Sequence, residues 1–282
     1  MSLSGSARLA GVVGWPVSQS LSPALHDYWI GEHRLDAAYV PLPVQPEDFA
    51  RVVDGLRRAG FRGVNVTVPH KQAAFALAGR HDGAARAIEA VNLLTFDAGG
   101  IAGFNTDAAG LSAALTDALG AAAVKGKVVA IWGAGGAARA AIHALAGMGA
   151  AELRLFNRTE GRAQALAAGF AKLPLKIAGY GAWAEAARDV ALVVHATSAG
   201  MKGAPGLDLP LDGLPRSAAV FDAVYNPLET ALLVRARARG LVAVDGLGML
   251  MHQAVPAFEA FFGVKPAVTP ALREAMVKAL HA

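Results

Sequence analysis

Cysteine is absent from this chain of 282 residues. That excludes a disulfide framework, thiolate catalysis and a cysteine–zinc centre, and it fits a reducing cytoplasm, where the protein is expected to work. Charged residues are scarce at 17%, whereas hydrophobic ones reach 54%. This balance excludes a disordered chain and indicates a folded core. The net charge of +4 is small and is not gathered into a Lys/Arg stripe. A small anionic ligand is therefore favoured slightly, and no nucleic-acid partner is expected. Long apolar runs are missing too: Gly, Lys and Arg interrupt each candidate before membrane-spanning length, so no membrane partner is expected. The opening "MSLSGSARLA" lacks the apolar core of a signal peptide. Neither an internal repeat nor a low-complexity linker is visible.

What is present is an alternation of strands and helices. "ARLAGVVG", "AAYVPLPV" and "FRGVNVTV" read as strands. Between them, "SPALHDYWIGEHRL" starts with Ser22 as N-cap and Pro23 at the first helical position, and "QPEDFARVVDGLRRAG" is an amphipathic helix closed by Gly60. "HKQAAFALA" and "DGAARAIEA" read as helices, and "VNLLTFD" as a strand before a turn at Gly99-Gly100. From about Thr106 the units lengthen. "KGKVVAIWGAGGAARAAIHALAGMGA" is strand, glycine loop and helix, and "AELRLFN", "ALVVHATS", "SAAVFDAVY" and "LVAVDG" are further strands separated by helices. Such alternation implies a parallel, doubly wound sheet. Two α/β domains are expected: residues 1–106, completed by the helices of 246–282, and a Rossmann-like dinucleotide domain over 107–245.

The glycine loop has the context that a dinucleotide fingerprint requires, Gly133-x-Gly135-x-x-Ala138 between a buried strand and a helix. Gly133 permits the tight turn, Gly135 lets backbone approach a pyrophosphate, and Ala138 lets helix and sheet pack closely. The backbone of Gly133, Ala134, Gly135, Gly136 and Ala137 is thereby assigned to the cofactor, because a helix N-terminus offers N–H groups and partial positive charge to phosphates. The next strand ends in Asn157, Arg158 and Thr159, with Arg162 following, where an NAD site would carry Asp or Glu for the ribose hydroxyl. A planar cation suits a 2′-phosphate, so NADP is expected as the cofactor.

The remaining polar clusters have two readings each. Lys71 closes "GVNVTVPHK", either as a solvated turn residue or as a proton donor. Asp107 in "GFNTDAAG" is either a helix cap or the carboxylate partner of such a lysine. Ser18, Ser20 and Ser22 precede a helix, either as caps or as a carboxylate site. Tyr225 stands at a strand end, Gly246 at a strand-to-helix turn and Gln253 on the helix that follows. His26, His70, His81, His195 and His252 show no ligand spacing, so no metal is expected.

Taken in order, "GWPVSQSLSP", "GVNVTVPHK", "AVN", "GFNTDAAG", "GAGGAAR", "NRTEGRA", "ATSAGM", "YNPLETALL" and "DGLGMLMHQA" resemble the shikimate dehydrogenase family, from Gly14 to Gln253. The resemblance implies NADP-dependent interconversion of 3-dehydroshikimate and shikimate in aromatic amino-acid biosynthesis. It implies Lys71 as catalytic acid/base and Asp107 as its partner. Ser20 and Ser22 match the family's carboxylate-binding serines. Thr67, Asn92, Tyr225 and Gln253 match its other substrate contacts, and Ala223 and Gly246 match positions beside the nicotinamide. Three residues depart from the family pattern: Gln19 stands where His is common, His195 where Asn is common, and Leu93 where "NTL" is usual. They leave quinate or aminoshikimate as alternative substrates, with NAD as an alternative cofactor. A non-catalytic NADP-binding sensor is a further alternative, disfavoured by Lys71 and Asp107 occurring together. Oligomeric state is left open, a homodimer included.

Overall fold

In the computed structural model, which describes residues 3–281, the chain divides into two units. One runs through Thr106 and resumes at Met251; the other is Asp107–Leu250. The return falls inside a helix, beyond Gly246.

The first unit is built on six strands: β1 (Arg8–Gly14), β2 (Ala37–Pro43), β3 (Gly63–Val66), β4 (Arg80–His81), β5 (Leu93–Asp97) and β6 (Gly100–Phe104). Their order is β2-β1-β3-β5-β6-β4. β1 pairs in parallel with both β2 and β3, but β5 runs antiparallel to β3 and to β6, so the sheet is mixed. The hairpin between β5 and β6 turns on Gly100, whose φ of +102° suits a residue without Cβ. Helices α1 (Ser22–Glu32), α2 (Phe49–Arg58), α3 (Lys71–Leu77) and α4 (Gly83–Ile88) supply the connections. Val13, Val64, Val66, Ala74, Val91 and Leu94 lie in its apolar core.

Two sequence expectations fail in this unit. The alternation through Val68 suggested a longer strand, but β3 stops at Val66 and Val68 is 68% exposed. The amide of Thr67 still reaches Val13 O at 2.9 Å; after that the chain turns at Pro69, which has no N–H to donate. Ser22 is not the cap of α1 either. Leu21 holds that position, and Ser22 is buried as the first helical residue.

The second unit carries β7 (Val128–Trp132), β8 (Glu152–Phe156), β9 (Leu175–Ala178), β10 (Val190–His195), β11 (Ala219–Asp222) and β12 (Val242–Val244). All pair in parallel, in the order β12-β11-β10-β7-β8-β9. The chain winds outward from β7 to β9, then crosses back to β10, so the order reverses between β7 and β10. Open α/β sheets bind ligands at such a switch point, beyond the carboxyl ends of the strands. Helices α5 (Asp107–Leu119), α6 (Gly136–Gly147), α7 (Glu160–Ala168), α8 (Trp183–Ala186) and α9 (Ala231–Ala238) belong here. Trp132, Phe156, Trp183, Val193, Val220 and Leu233 are among its buried core. α10 (Leu247–Phe262) and α11 (Pro270–Leu280) complete the chain. No helix among the described residues is long and apolar enough to cross a membrane.

Candidate active site

The expected site residues fall into two groups, one in each unit. In the second unit they stand at the carboxyl ends of adjacent strands. Asn157 follows β8, Gly133 follows β7, Ala196 follows β10, Ala223 follows β11, and Gly246 lies just past β12. Backbone hydrogen bonds carry the sheet pattern one residue into these loops: Gly133 N to Phe156 O at 2.8 Å, Ala196 N to Trp132 O at 2.8 Å, and Ala223 N to His195 O at 2.9 Å. The loops are packed tightly enough to demand glycine. A Cβ on Gly133, whose φ is +128°, would stand 2.6 Å from Ala196 O. One on Gly246 would stand 2.3 Å from Ala223 O.

Gly135 is different. It caps α6 at φ −105°, and nothing lies within 4 Å of where its Cβ would be. Bare backbone beside open space at a helix N-terminus fits a pyrophosphate. Ala138 is fully buried, as close packing of α6 requires. Beyond β8, Asn157 Nδ2 donates to Thr159 O at 2.7 Å, which shapes the turn that presents Arg158 and Arg162, both exposed. The Arg158 charge acts on Tyr180, next to β9, whose phenol is nonetheless pushed up by partial burial. Tyr180 was not expected from the sequence. The residues present thus fit a dinucleotide bearing an extra phosphate.

In the first unit the polar side chains form a connected row. The turn after β3 bonds His70 N to Thr67 O at 2.9 Å, and Lys71 opens α3. Val91 N donates to Lys71 O at 2.9 Å, so the lysine backbone is tied to the residue before Asn92. α4 ends on Glu89 in the left-handed region (φ 55°, ψ 38°), and the chain then leads through Val91 and Asn92 into β5. Asn92 is buried and held by several hydrogen bonds. Its Nδ2 donates to Thr106 Oγ1 at 2.9 Å and to Gln253 Oε1 at 3.2 Å, and its Oδ1 accepts from Thr106 N at 2.8 Å. Buried polar groups are held by such partners as a rule.

The row continues toward the serines. Asn65 Nδ2 donates to Asn92 O at 3.2 Å, Tyr39 Oη donates to Asn65 Oδ1 at 2.8 Å, and the Ser22 side chain lies beside the Tyr39 phenol. Burial holds the Tyr39 phenol well above its ordinary range, partly offset by Ser22. Ser22 N donates to Ser20 Oγ at 3.3 Å. The unit therefore brings together Ser20, Ser22, Asn92 and Gln253 through Tyr39, Asn65 and Thr106, three members that the sequence did not single out. Gly14 makes room for Thr67, because a Cβ there would stand 2.5 Å from Thr67 Cγ2. Asp107 opens α5 in the second unit and is buried, as its carboxylate suits a helix N-terminus. Tyr225, half-buried, lies three residues past β11.

A doubly wound sheet with a glycine turn at its switch point, joined in one chain to a unit rich in buried side-chain amides and hydroxyls, defines a two-unit α/β dehydrogenase. Residues 12–94 match the family described as shikimate dehydrogenase substrate binding domain, and residues 116–202 match shikimate / quinate 5-dehydrogenase. The shikimate dehydrogenase (NADP(+)) of Acidiphilium cryptum is 50% identical over 276 residues, 98% of each chain. The crystal structure of shikimate 5-dehydrogenase from Thermus thermophilus in complex with NADP(H) and shikimate is 36% identical, with a TM-score of 0.84 over 97% of this chain and 98% of that one. Quinate dehydrogenase from Corynebacterium glutamicum in complex with NAD is 31% identical, with a TM-score of 0.88 over 96% and 99%. The chain belongs to the shikimate dehydrogenase family.

Proposed function

We propose that the chain catalyses the reversible, NADP-dependent reduction of 3-dehydroshikimate to shikimate. The observation that carries this reading is the basic turn after β8, Asn157-Arg158-Thr159, in a family member whose first unit holds the Asn92–Thr106–Gln253 cluster. When bound, NADPH supplies the hydride. The residues that hold it are the backbone from Gly133 to Ala137 for the pyrophosphate, Asn157, Arg158, Thr159 and Arg162 for the adenosine end, and Ala223 and Gly246 for the nicotinamide end.

Lys71 acts as the acid in reduction. Its ammonium gives a proton to the carbonyl oxygen as that oxygen gains charge, and the amine takes the proton back in oxidation. Asp107 orients the lysine and the substrate hydroxyl. Ser20 and Ser22 bind the substrate carboxylate. Thr67, Asn92, Tyr225 and Gln253 bind its hydroxyls, which suit amide and hydroxyl partners. The cysteine-free composition fits a reducing cytoplasm as the place of action.

A second reading, quinate as substrate with NAD, draws on the likeness to the quinate dehydrogenase structure. Initial rates with shikimate or quinate, each with NADP⁺ or NAD⁺, separate the two. The proposal expects shikimate with NADP⁺ to give the highest kcat/KM, and higher kcat/KM for quinate with NAD⁺ would overturn it.

A further inference from the structure

A buried, multiply bonded carboxylate in the second unit, Asp222, lies outside the groups assigned above. His195 ends β10 and Asp222 ends β11, and the two are partners in the sheet register. Both side chains are buried, at 1% and 0% exposure. His195 Nδ1 lies 2.8 Å from Asp222 Oδ1, and Nε2 lies 2.5 Å from Thr197 Oγ1. A carboxylate only accepts, so Nδ1 carries a proton toward Asp222, and Nε2 shares the second hydrogen bond with the Thr197 hydroxyl. Thr197 Oγ1 in turn accepts from Ala199 N at 3.0 Å. Asp222 accepts from Val224 N at 3.0 Å through Oδ1 and from Thr230 Oγ1 at 2.7 Å through Oδ2. Thr230 also accepts from Leu233 N, at 3.3 Å, as the cap of α9.

One imidazole thus ties the turn after β10 to the turn after β11 and to the start of α9. The turn after β10 is the one that packs on the glycine loop: Ala196 O and Thr197 Cγ2 are what a Cβ on Gly133 would meet, at 2.6 and 3.0 Å. We propose that His195 is a positioning residue that holds Thr197, and through it the Ala196–Ala199 turn, in the shape that lets the glycine loop take a dinucleotide. The inference rests on the nucleotide reading given above for its functional half. Its structural half stands on the hydrogen bonds alone. An asparagine at this place would carry both of its polar atoms on Cγ, close to the backbone. Histidine sets Nε2 farther out, and that arm is the one that reaches Thr197.

Two variants cut that arm by different chemistry. Thr197→Val keeps the shape of a half-exposed side chain and loses the hydroxyl, and His195→Asn keeps a donor toward Asp222 but falls short of Thr197. Each is expected to weaken NADP⁺ binding about fivefold by calorimetry, the size of one hydrogen bond. The double variant is expected to be no weaker than either single one, because one link is being removed twice. KM for shikimate should stay unchanged, and Thr197→Ser should restore wild-type affinity. In nucleotide-free protein, amide hydrogen exchange at Ala199 should quicken in both single variants and not in Thr197→Ser. Wild-type NADP⁺ affinity and Ala199 exchange in Thr197→Val would overturn the inference, as would additive losses. A wild-type chain that bound no NADP⁺ would overturn the function proposed above. The exchange measurement on nucleotide-free protein would still decide whether His195 holds the turn.

Discussion

The two units make their sites from different materials. In the first, the candidate site is a row of side chains: Asn92, Thr106 and Gln253 grip one another, and Tyr39 and Asn65 lead from them toward Ser22. In the second, the expected contacts at the switch point are backbone, and side chains are kept away by Gly133, Gly135 and Gly246. The difference follows from the ligands each unit suits. A small polyhydroxy acid is told from its isomers by fixed hydrogen-bond partners. A pyrophosphate is the same in every dinucleotide and needs only N–H groups that can come close.

If that contrast is right, side-chain deletions in the first unit should cost turnover or substrate affinity and spare nucleotide affinity. Lys71→Ala is the largest case, with kcat expected to fall roughly 10²–10⁴-fold, the usual share of general acid–base catalysis, while the Kd for NADP⁺ holds. Asp107→Asn should also lose rate, and the double variant should be far from additive. A Lys71→Ala enzyme with normal kcat and a raised KM would make the lysine a binding residue.

The glycines sharpen the comparison from the other side. Gly246→Ala would set a Cβ 2.3 Å from a carbonyl oxygen of the backbone. Overpacking of that kind costs about 1–3 kcal/mol, so its melting temperature should drop. Gly135→Ala meets nothing within 4 Å. It should melt like wild type and yet lose NADP⁺ affinity, if the methyl fills the space proposed for the pyrophosphate. Equal melting temperatures for the two variants would break the distinction.

His26 gives the first unit an acid sensitivity. It is fully buried, stacked on Tyr39 at 3.8 Å, and has no hydrogen-bond partner at either nitrogen. Burial pushes its pKa down to about 3 from 6.5. The unfolded chain therefore binds a proton that the folded chain refuses. Stability is fully present above pH 6.5 and is lost as pH falls toward 3. One pH unit is worth about 1.4 kcal/mol, so roughly 2 kcal/mol should be gone by pH 5. Urea midpoints against pH should show this slope, and His26→Phe should flatten it. The smallest expected effect is that of Arg158→Ala, which should remove about a tenfold preference for NADP⁺ over NAD⁺, as one charge-assisted hydrogen bond would. Equal losses with both cofactors would assign Arg158 to adenine instead.

The second unit was the more legible in sequence because its signals are local. The glycine turn, the strand before it and the helix after it are contiguous, and the basic turn lies one strand later. β9 escaped notice because four residues at a sheet edge carry little periodicity. In the first unit, Tyr39, Asn65 and Gln253 are brought together by pairing of distant strands and by the last helices, which no window on the chain reveals. The Val64, Val66, Val68 alternation misled for a similar reason: burial at Val64 and Val66 comes from the sheet, and the sheet has ended before Val68. Ser22 looked like a cap because serine before Pro often is one, yet Leu21 holds the cap position and Ser22 is buried within the helix. His195 and Asp222 are 27 residues apart, and only strand register makes them neighbours.

The aromatic nest beneath the glycine loop gives the molecule two optical voices. Trp132, immediately before Gly133, stacks on Phe156 at 4.7 Å and meets Trp183 edge-on at 5.2 Å. All three are buried, so their unit emits from dry surroundings. Of the two tryptophans in the other unit, Trp29 is buried and Trp15 is 45% exposed, on the loop that leads to the serines. Iodide can therefore silence Trp15 first and leave the buried tryptophans glowing. A single cuvette, read with and without quencher, can separate events on the Trp15 loop from events in the buried cores, with no label added.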